Sequence, residues 1–484
     1  MRTLPEPFTG WFAARGWQPR AHQLAVLDAV AGSEHALLVA PTGGGKTLAG
    51  FLPTLLDLHA SPREGLHTLY ISPLKALAVD IARNLMAPIG DMALPIRVET
   101  RTGDTPANRR ARQRTAPPHI LLTTPESLTL LLSQPEATEF FAGLGGIIID
   151  EIHALAGTKR GDQLALCLSR LAVLAPGAKR IGLSATVAVP DALRAWLAPD
   201  AQASSVRLIM AEGGAAPVLD LQLPEGHLPW GGHMGLASMP EVYQRIEAAR
   251  VTIVFVNTRA QAELCFAALW RLNEAALPIA LHHGSLEIDQ RRKVEAAMAA
   301  GKLRAVVATA SLDLGIDWGD VDQVIQIGAP KGVARLLQRV GRANHRMDEP
   351  SRAVLVPANR FEVIECVAAM EAAAAGELDG DPPRPGGLDV LAQHVLAMAC
   401  HAPFHPDQLY AEVIRASPYA ALTRRDFDDV VRFVEDGGYA LAAYERFRRL
   451  FRDSEGRLHI RDARAARQFR LNLGTIVETP MIKV

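Results

Sequence analysis

Short apolar runs alternate with amphipathic stretches through the first two hundred residues of this chain. Residues 36–40 (ALLVA), 68–72 (TLYIS), 119–123 (HILLT) and 146–150 (GIIID) are continuous apolar runs of strand length. The segments between them are long enough for crossover helices. Buried strands separated by helices predict a parallel sheet covered on both faces. A Gly/Pro-rich stretch follows at 215–240, with Pro217, Pro224, Pro229, Pro240 and the pair Gly231 and Gly232, and reads as the connection between two lobes. The alternation then restarts with strands at 251–256 (VTIVFV), 278–282 (PIALH), 305–308 (AVVA) and 321–327 (VDQVIQI). The run DGDPPRPGG at 379–387 is too rich in Pro and Gly for helix or strand and marks a second linker. Beyond it lie helical patterns at 388–402, 406–415 and 423–437, the last opened by Thr423 and Asp426 at capping-box spacing. A polar hairpin turning at Asp453, Glu455 and Gly456 completes what reads as a winged helix. The pattern therefore predicts an α/β chain of two parallel-sheet lobes, 1–203 and 204–378, followed by a linker and a mostly helical winged-helix domain, 379–484.

At 484 residues the chain is too long for one core, and 49% hydrophobic with 21% charged residues is the profile of a folded globular protein. The net charge of −1 supplies no global field for a polyanion, so any nucleic-acid surface must be a local groove lined by arginine. Cys167, Cys265, Cys366 and Cys400 form no CxxC pair, which argues against a zinc or iron–sulfur site and against a disulfide framework. No signal peptide and no bilayer-spanning apolar stretch is visible, so a cytoplasmic chain with no membrane partner is expected.

Chemistry concentrates first in 40–47 (APTGGGKT), between a predicted strand and a predicted helix. Glycines in that position let backbone N–H groups crowd around phosphate oxygens, and the helix N-terminus adds positive potential. Thr42, Gly43, Gly44 and Gly45 would cradle the phosphates of ATP. Lys46 would reach the β- and γ-phosphates, and Thr47 would give an oxygen to Mg²⁺. Asp150 and Glu151 stand at the end of the strand GIIID. There Asp150 can hold Mg²⁺ while Glu151 orients and deprotonates a water. His153 reads as a polar link between sites. Further on come 184–186 (SAT), 309–317 (TASLDLGID) and 338–342 (QRVGR). Arg342 lies in the second lobe, so it reaches a γ-phosphate only when the lobes close over the nucleotide, as an arginine finger supplied within one chain.

In this order these motifs resemble superfamily 2 helicases with tandem RecA-like lobes. SPLKALAVD (72–80), TRTGDTP (100–106), TTPESL (123–128) and DEIHALAGTKRGD (150–162) narrow the resemblance to the large-helicase-related (Lhr) group, nearest its ligase-associated DEXH-box DNA repair helicases. The resemblance implies that Gln23 reads the adenine edge, with Trp17 or Pro19 against the base. Gly315 and Asp317 would meet γ-phosphate and ribose, and Gln338 and Arg342 would act as catalytic groups beside Glu151. Pro73, Lys75, Thr124, Pro125 and Glu126 from the first lobe, with Thr258, Arg259, Gly284, Ser285 and Thr309 from the second, would contact the nucleic-acid backbone or shape its track. Contacts of this kind position a strand without reading its sequence. The implied activity is ATP-dependent 3′→5′ translocation on single-stranded DNA or a tailed duplex, in DNA repair, alongside a DNA ligase and a nuclease.

Two departures accompany the likeness. His345 stands where many superfamily members carry a second arginine, and relatives continue into a further β-rich domain beyond the length of this chain. An RNA or RNA–DNA hybrid helicase, a double-strand translocase and a nucleotide-gated clamp remain open as alternatives. Glu151, Gln338 and Arg342 speak against the clamp. Interleaved Tyr444, Phe447, Phe451 and Arg446, Arg448, Arg449, Arg452 either form a strand-contacting surface or an amphipathic helix with solvated arginines.

Overall fold

A computed structural model describes residues 4–474 apart from 42, 212–214, 233, 314–320, 345–349, 381–383, 439–440 and 442. The strands are β1 (His35–Val39), β2 (Thr68–Ile71), β3 (Val98–Arg101), β4 (Ile120–Thr123), β5 (Gly146–Ile149), β6 (Lys179–Ser184), β7 (Val206–Met210), β8 (Val218–Leu221), β9 (Thr252–Phe255), β10 (Ile279–His282), β11 (Ala305–Ala308), β12 (Gln323–Ile327), β13 (Arg352–Val356), β14 (Leu450–Arg452) and β15 (Leu458–Ile460). Every expected strand in the two lobes is present, and each sheet is parallel throughout. The first runs β3-β4-β2-β5-β6-β1-β7 and the second β10-β11-β9-β12-β13-β8. The runs that lack polar alternation are those buried on both faces: β2 and β4 in the first sheet and β9 and β11 in the second are buried at every position.

Two expectations need correction. The first lobe does not stop at residue 203, because β7 pairs with β1 from His35↔Val206 to Val39↔Met210. Nor is 215–240 only a connection, since β8 pairs with β13 at the edge of the second sheet. Both are edge strands with mixed exposure, and pairing rather than an apolar run defines them.

The third domain has the expected three helices, Leu388–His401, Pro406–Val413 and Arg424–Asp436, then an antiparallel β14–β15 wing and a further helix, Ala463–Leu471. Thr423 caps the third helix through the Asp426 N–H at 3.1 Å. The aromatic–arginine segment is not a helix. It is one 3-10 turn, Glu445–Phe447, running into β14.

This domain shares its core with the first lobe. One apolar cluster runs from Leu121, Ile149 and Leu168 through Leu391, Val395 and Leu409 to Phe427 and Leu458. Polar contacts close the seam. Asp162 accepts from Arg384 Nη2 at 2.9 Å and from the Gly387 N–H at 3.1 Å; Lys159 pairs with Asp389 at 2.9 Å and Arg170 with buried Glu412 at 3.1 Å. The second lobe has its own clusters on the two faces of its sheet. All four cysteines are buried, and burial pushes their thiols up to about 11 for Cys400 and about 12 for the other three. No described helix is long and apolar enough to cross a membrane.

Candidate ATP site and nucleic-acid track

The phosphate loop leaves β1 and turns into the helix Lys46–Ala60. Gly43 and Gly45 sit at φ 75° and 72°, where a Cβ is unfavourable, and a Cβ on Gly45 would lie 2.8 Å from Gln23 Nε2. Lys46 Nζ donates to the carbonyls of Ala40 (2.8 Å) and Pro41 (3.1 Å), holding the ammonium across the loop's mouth. Gln23 is committed to backbone at both ends of its amide. Its Oε1 accepts from the Arg20 N–H at 2.9 Å and its Nε2 donates to Gly45 O at 3.3 Å. His22 Nε2, 2.7 Å from Gly44 O, and Arg20 Nη1, 3.3 Å from Gly43 O, brace the same loop. Both residues lie within 17–23 (WQPRAHQ), just ahead of Gln23, and owe these roles to the fold rather than to the motif. Thr47 lies in the helix's first turn, while Thr42 falls outside the described residues.

Asp150 and Glu151 follow β5 and are both buried. Asp150 Oδ2 accepts the Tyr70 hydroxyl and its Oδ1 accepts the Glu151 N–H at 2.9 Å. Burial, then the adjacent Glu151 charge, holds the Asp150 carboxyl above the usual range. Glu151 itself occupies the left-handed region at φ 47°, ψ 42°. His153 Nδ1 accepts the Ala185 N–H at 3.3 Å and lies 3.2 Å from Ser184 Oγ. That acceptance assigns the ring proton to Nε2, which faces Glu151 Oε2 at 3.5 Å. The expected polar link thus joins the DEIH and SAT segments.

Lys46 is pulled below the ordinary ammonium range by burial, against the opposing pull of Glu151 and Asp150, and the positive charge of Arg342 lowers it further. A second-lobe arginine therefore acts electrostatically on the first-lobe lysine. Arg342 is buried just beyond the helix Val333–Val340, and Gln338 is half-buried on that helix's last turn. Between them, Arg339 carries a structural role the sequence reading missed. It donates to Asp313 Oδ1 (2.8 Å) and Gln326 Oε1 (2.6 Å) and stacks 4.8 Å over Phe255, anchoring the motif to the second sheet. Gly315, Asp317 and His345 lie outside the described residues.

The remaining candidates gather at the C-terminal ends of strands, where open α/β sheets bind ligands. Lys75 is exposed after β2 and pairs with Asp104 at 2.9 Å. Pro73, Thr124 and Pro125 are buried, so their side chains shape the first-lobe loops. Glu126 meets Arg160 in a two-pronged pair, 2.6 and 3.2 Å, which makes it a brace for the DEIH segment. In the second lobe Thr258 caps the helix Arg259–Leu272 through the Gln261 N–H. The exposed Arg259 guanidinium lies 3.7 Å from where a Gly284 Cβ would stand, beside exposed Ser285. Thr309 follows β11, the strand between β9 and β10.

Comparison with known proteins agrees with this arrangement. A DEAD/DEAH box helicase profile matches residues 20–194, a helicase conserved C-terminal domain matches 237–347, and the winged helix domain of the large helicase-related protein matches 371–484. The chain is 37% identical, over 92% of its length, to the Lhr helicase/uracil glycosylase of Escherichia coli (strain K12), of which it covers 33%. It is 35% identical, over 99% of its length, to the ATP-dependent helicase Lhr-Core protein 2 of Thermococcus barophilus, of which it covers 58%. The chain thus spans between a third and three fifths of these two relatives. Among solved structures, Mycobacterium smegmatis helicase Lhr bound to ssDNA and AMP-PNP superimposes with a TM-score of 0.87 at 37% identity, covering 99% of this chain and 63% of that one. The DUF1998 helicase MrfA bound to DNA shares the fold, with a TM-score of 0.76 at 24% identity and coverage of 96% and 64%. Both helicase domains of the DEAD/DEAH-box type and a winged helix of the large helicase-related type are thus in place around this site.

Proposed function

We infer that the chain is an ATP-hydrolysing motor that translocates 3′→5′ on single-stranded DNA and separates duplex ahead of it. The observation that carries this reading is the gathering of Lys46 across the loop's mouth with buried Asp150 and Glu151 in the first lobe, and of buried Arg342 in the second, whose charge reaches Lys46. Hydrolysis at such a site depends on lobe closure, and lobe closure is what a translocating strand would sense. The likeness to a relative solved with ssDNA and AMP-PNP supports single-stranded DNA as the track.

The site suits Mg²⁺. The Asp150 carboxylate is buried at a strand end, where burial and the adjacent Glu151 charge hold it above its usual range, and Thr47 lies in the first turn of the loop helix. Bound there by Thr47 and Asp150, Mg²⁺ would neutralise phosphate charge. The protein's own groups do the rest. Lys46 exchanges its two carbonyl partners for phosphate oxygens, Glu151 orients a water and takes its proton, and His153 ties that carboxylate to Ser184 and Ala185. Arg342, with Gln338, meets charge developing on the γ-phosphoryl group. A role in DNA repair, with a ligase and a nuclease as partners in the cytoplasm, is part of the same proposal and rests on the motif resemblance.

ATPase assays with and without single-stranded DNA, joined to strand displacement on DNA and RNA tails of both polarities, test it. Stimulation by single strands and displacement from 3′ DNA tails are expected. Unstimulated turnover would leave only a clamp, and displacement confined to RNA tails would reassign the substrate.

A further inference from the structure

The helix Ala107–Thr115 (ANRRARQRT) belongs to none of the motifs used above. Its arginines divide by helical phase. Arg109 and Arg112 meet Glu99 of β3 at 3.1 and 2.6 Å, and Gln113 donates to the same carboxylate at 2.9 Å. Arg110 and Arg114, four residues apart, lie together on a different face. Among the described residues neither has a carboxylate within ion-pairing reach. Under them sits Arg101, the last residue of β3, only 8% exposed, whose Nη1 donates to Arg110 O at 3.0 Å. Burial, then the charges of Arg110 and Arg114, draws the Arg101 guanidinium down to about 10.

Two like charges are therefore gathered over one buried cation whose partner is a peptide carbonyl. The chain has 52 acidic side chains, so carboxylates are not scarce, yet those nearby are committed elsewhere. Glu99 serves Arg109 and Arg112, and Asp104 serves Lys75. Burying a cation without an anion costs stability, and clustering cations adds to that cost. An external anion would relieve both.

Placement selects the anion. Arg101 lies opposite Thr123 in the parallel register, and its carbonyl accepts the Thr123 hydroxyl at 2.8 Å. Thr123 precedes Thr124, in the loop assigned to the strand track. The cluster thus starts where the first-lobe track ends and continues along the outer edge of the sheet, because β3 is the edge strand. Arg110 and Arg114 are separated by about 6 Å along the helix axis, on the order of the spacing between successive phosphates. Guanidinium forks suit phosphate oxygens better than point charges do.

We propose that Arg101, of the TRTGDTP segment, and Arg110 and Arg114, of the helix that follows it, form a phosphate seat that extends the single-strand track down the β3 edge of the first lobe. The proposal rests on the reading of the chain as a motor on single strands. Its test is the double variant Arg110→Gln/Arg114→Gln, in which half-buried Arg110 and exposed Arg114 are exchanged for another good helix former. Fluorescence anisotropy with single-stranded oligonucleotides of graded length, at several salt concentrations, gives the readout. Strands covering only the motif track should bind both proteins alike. Longer strands should gain affinity on the parent alone, and the parent's slope of log K against log salt should be steeper by roughly 1.4, two phosphates at about 0.7 each. Coincident slopes at every length overturn the proposal, as does a difference seen only with blunt duplex. If the parent binds no strand of any length, the motor reading itself fails, a separate result from coincident slopes.

Discussion

A non-glycine residue held in the left-handed region costs on the order of 1–3 kcal/mol, and at Glu151 the cost falls on the carboxylate assigned to the attacking water. The strain aims the side chain, so the Glu151 backbone and its charge are separable. Glu151→Gln keeps the backbone and should retain ATP binding while turnover falls at least about a hundredfold. Lys46→Ala should weaken binding and turnover together, since Lys46 would touch phosphates in both ground and transition states. Nucleotide-binding and steady-state ATPase measurements separate the two, and a Gln variant hydrolysing at the parent rate would remove Glu151 from the mechanism. Arg342→Ala should lower DNA-stimulated turnover by on the order of a thousandfold, because a permanent cation meets the transition state there. His345→Ala should cost far less, since a histidine, unlike an arginine, is not a permanent cation at neutral pH. An active Arg342→Ala beside an inactive His345→Ala would show that the finger had been assigned to the wrong residue.

At the scale of elements, what was legible in the sequence followed from locality. The phosphate loop, DEIH and QRVGR put their chemistry into contiguous residues, and strands buried on both faces read as apolar runs. β3 (VETR) and β8 (VLDL) could not be read that way, because half-exposed edge strands carry polar residues and gain their identity from a neighbour. Arg339, Arg160 and His22 were invisible for a related reason: their roles are set by partners far off in sequence. The seam between the helix Lys159–Leu174 and the helices Leu388–His401 and Pro406–Val413 is tertiary altogether. There Arg170 faces buried Glu412, and removing one member of a buried pair strands the other. Arg170→Met should destabilise the protein by about 3 kcal/mol, seen as a lower thermal midpoint. In the same seam burial lowers His394 to about 3, assisted by the Arg170 charge. The unfolded chain takes up that proton near 6.5 and the folded one does not, so stability is lost as pH falls below about 6.5. Glu412, raised by burial, acts in the opposite sense at lower pH. A His394→Gln variant should therefore show a flatter decline in thermal midpoint between pH 6.5 and 5.5, and an unchanged slope would exclude His394 as the titrating group.

At the scale of the whole molecule, a chain with a net charge of −1 grips a polyanion only through local arginines and backbone donors. Affinity for single strands should accordingly fall steeply with salt and vary little among unstructured sequences. A flat salt response, or strong preference for one sequence, would count against the groove. The core that joins the first lobe to the third domain has a consequence for how the molecule is made. The apolar outer surface of Leu128, Leu132 and Leu168 is completed by Leu391, Val395 and Leu409. The first sheet closes at Met210, whereas the first of those helices begins at Leu388, 178 residues later (388 − 210). At ribosomal speeds of about 5–20 residues per second, that surface stays bare for roughly 9–36 s while the second lobe is being synthesised. The nascent chain is therefore most prone to aggregate after its first lobe has folded, and a chaperone that shields it should be needed only until the third domain emerges.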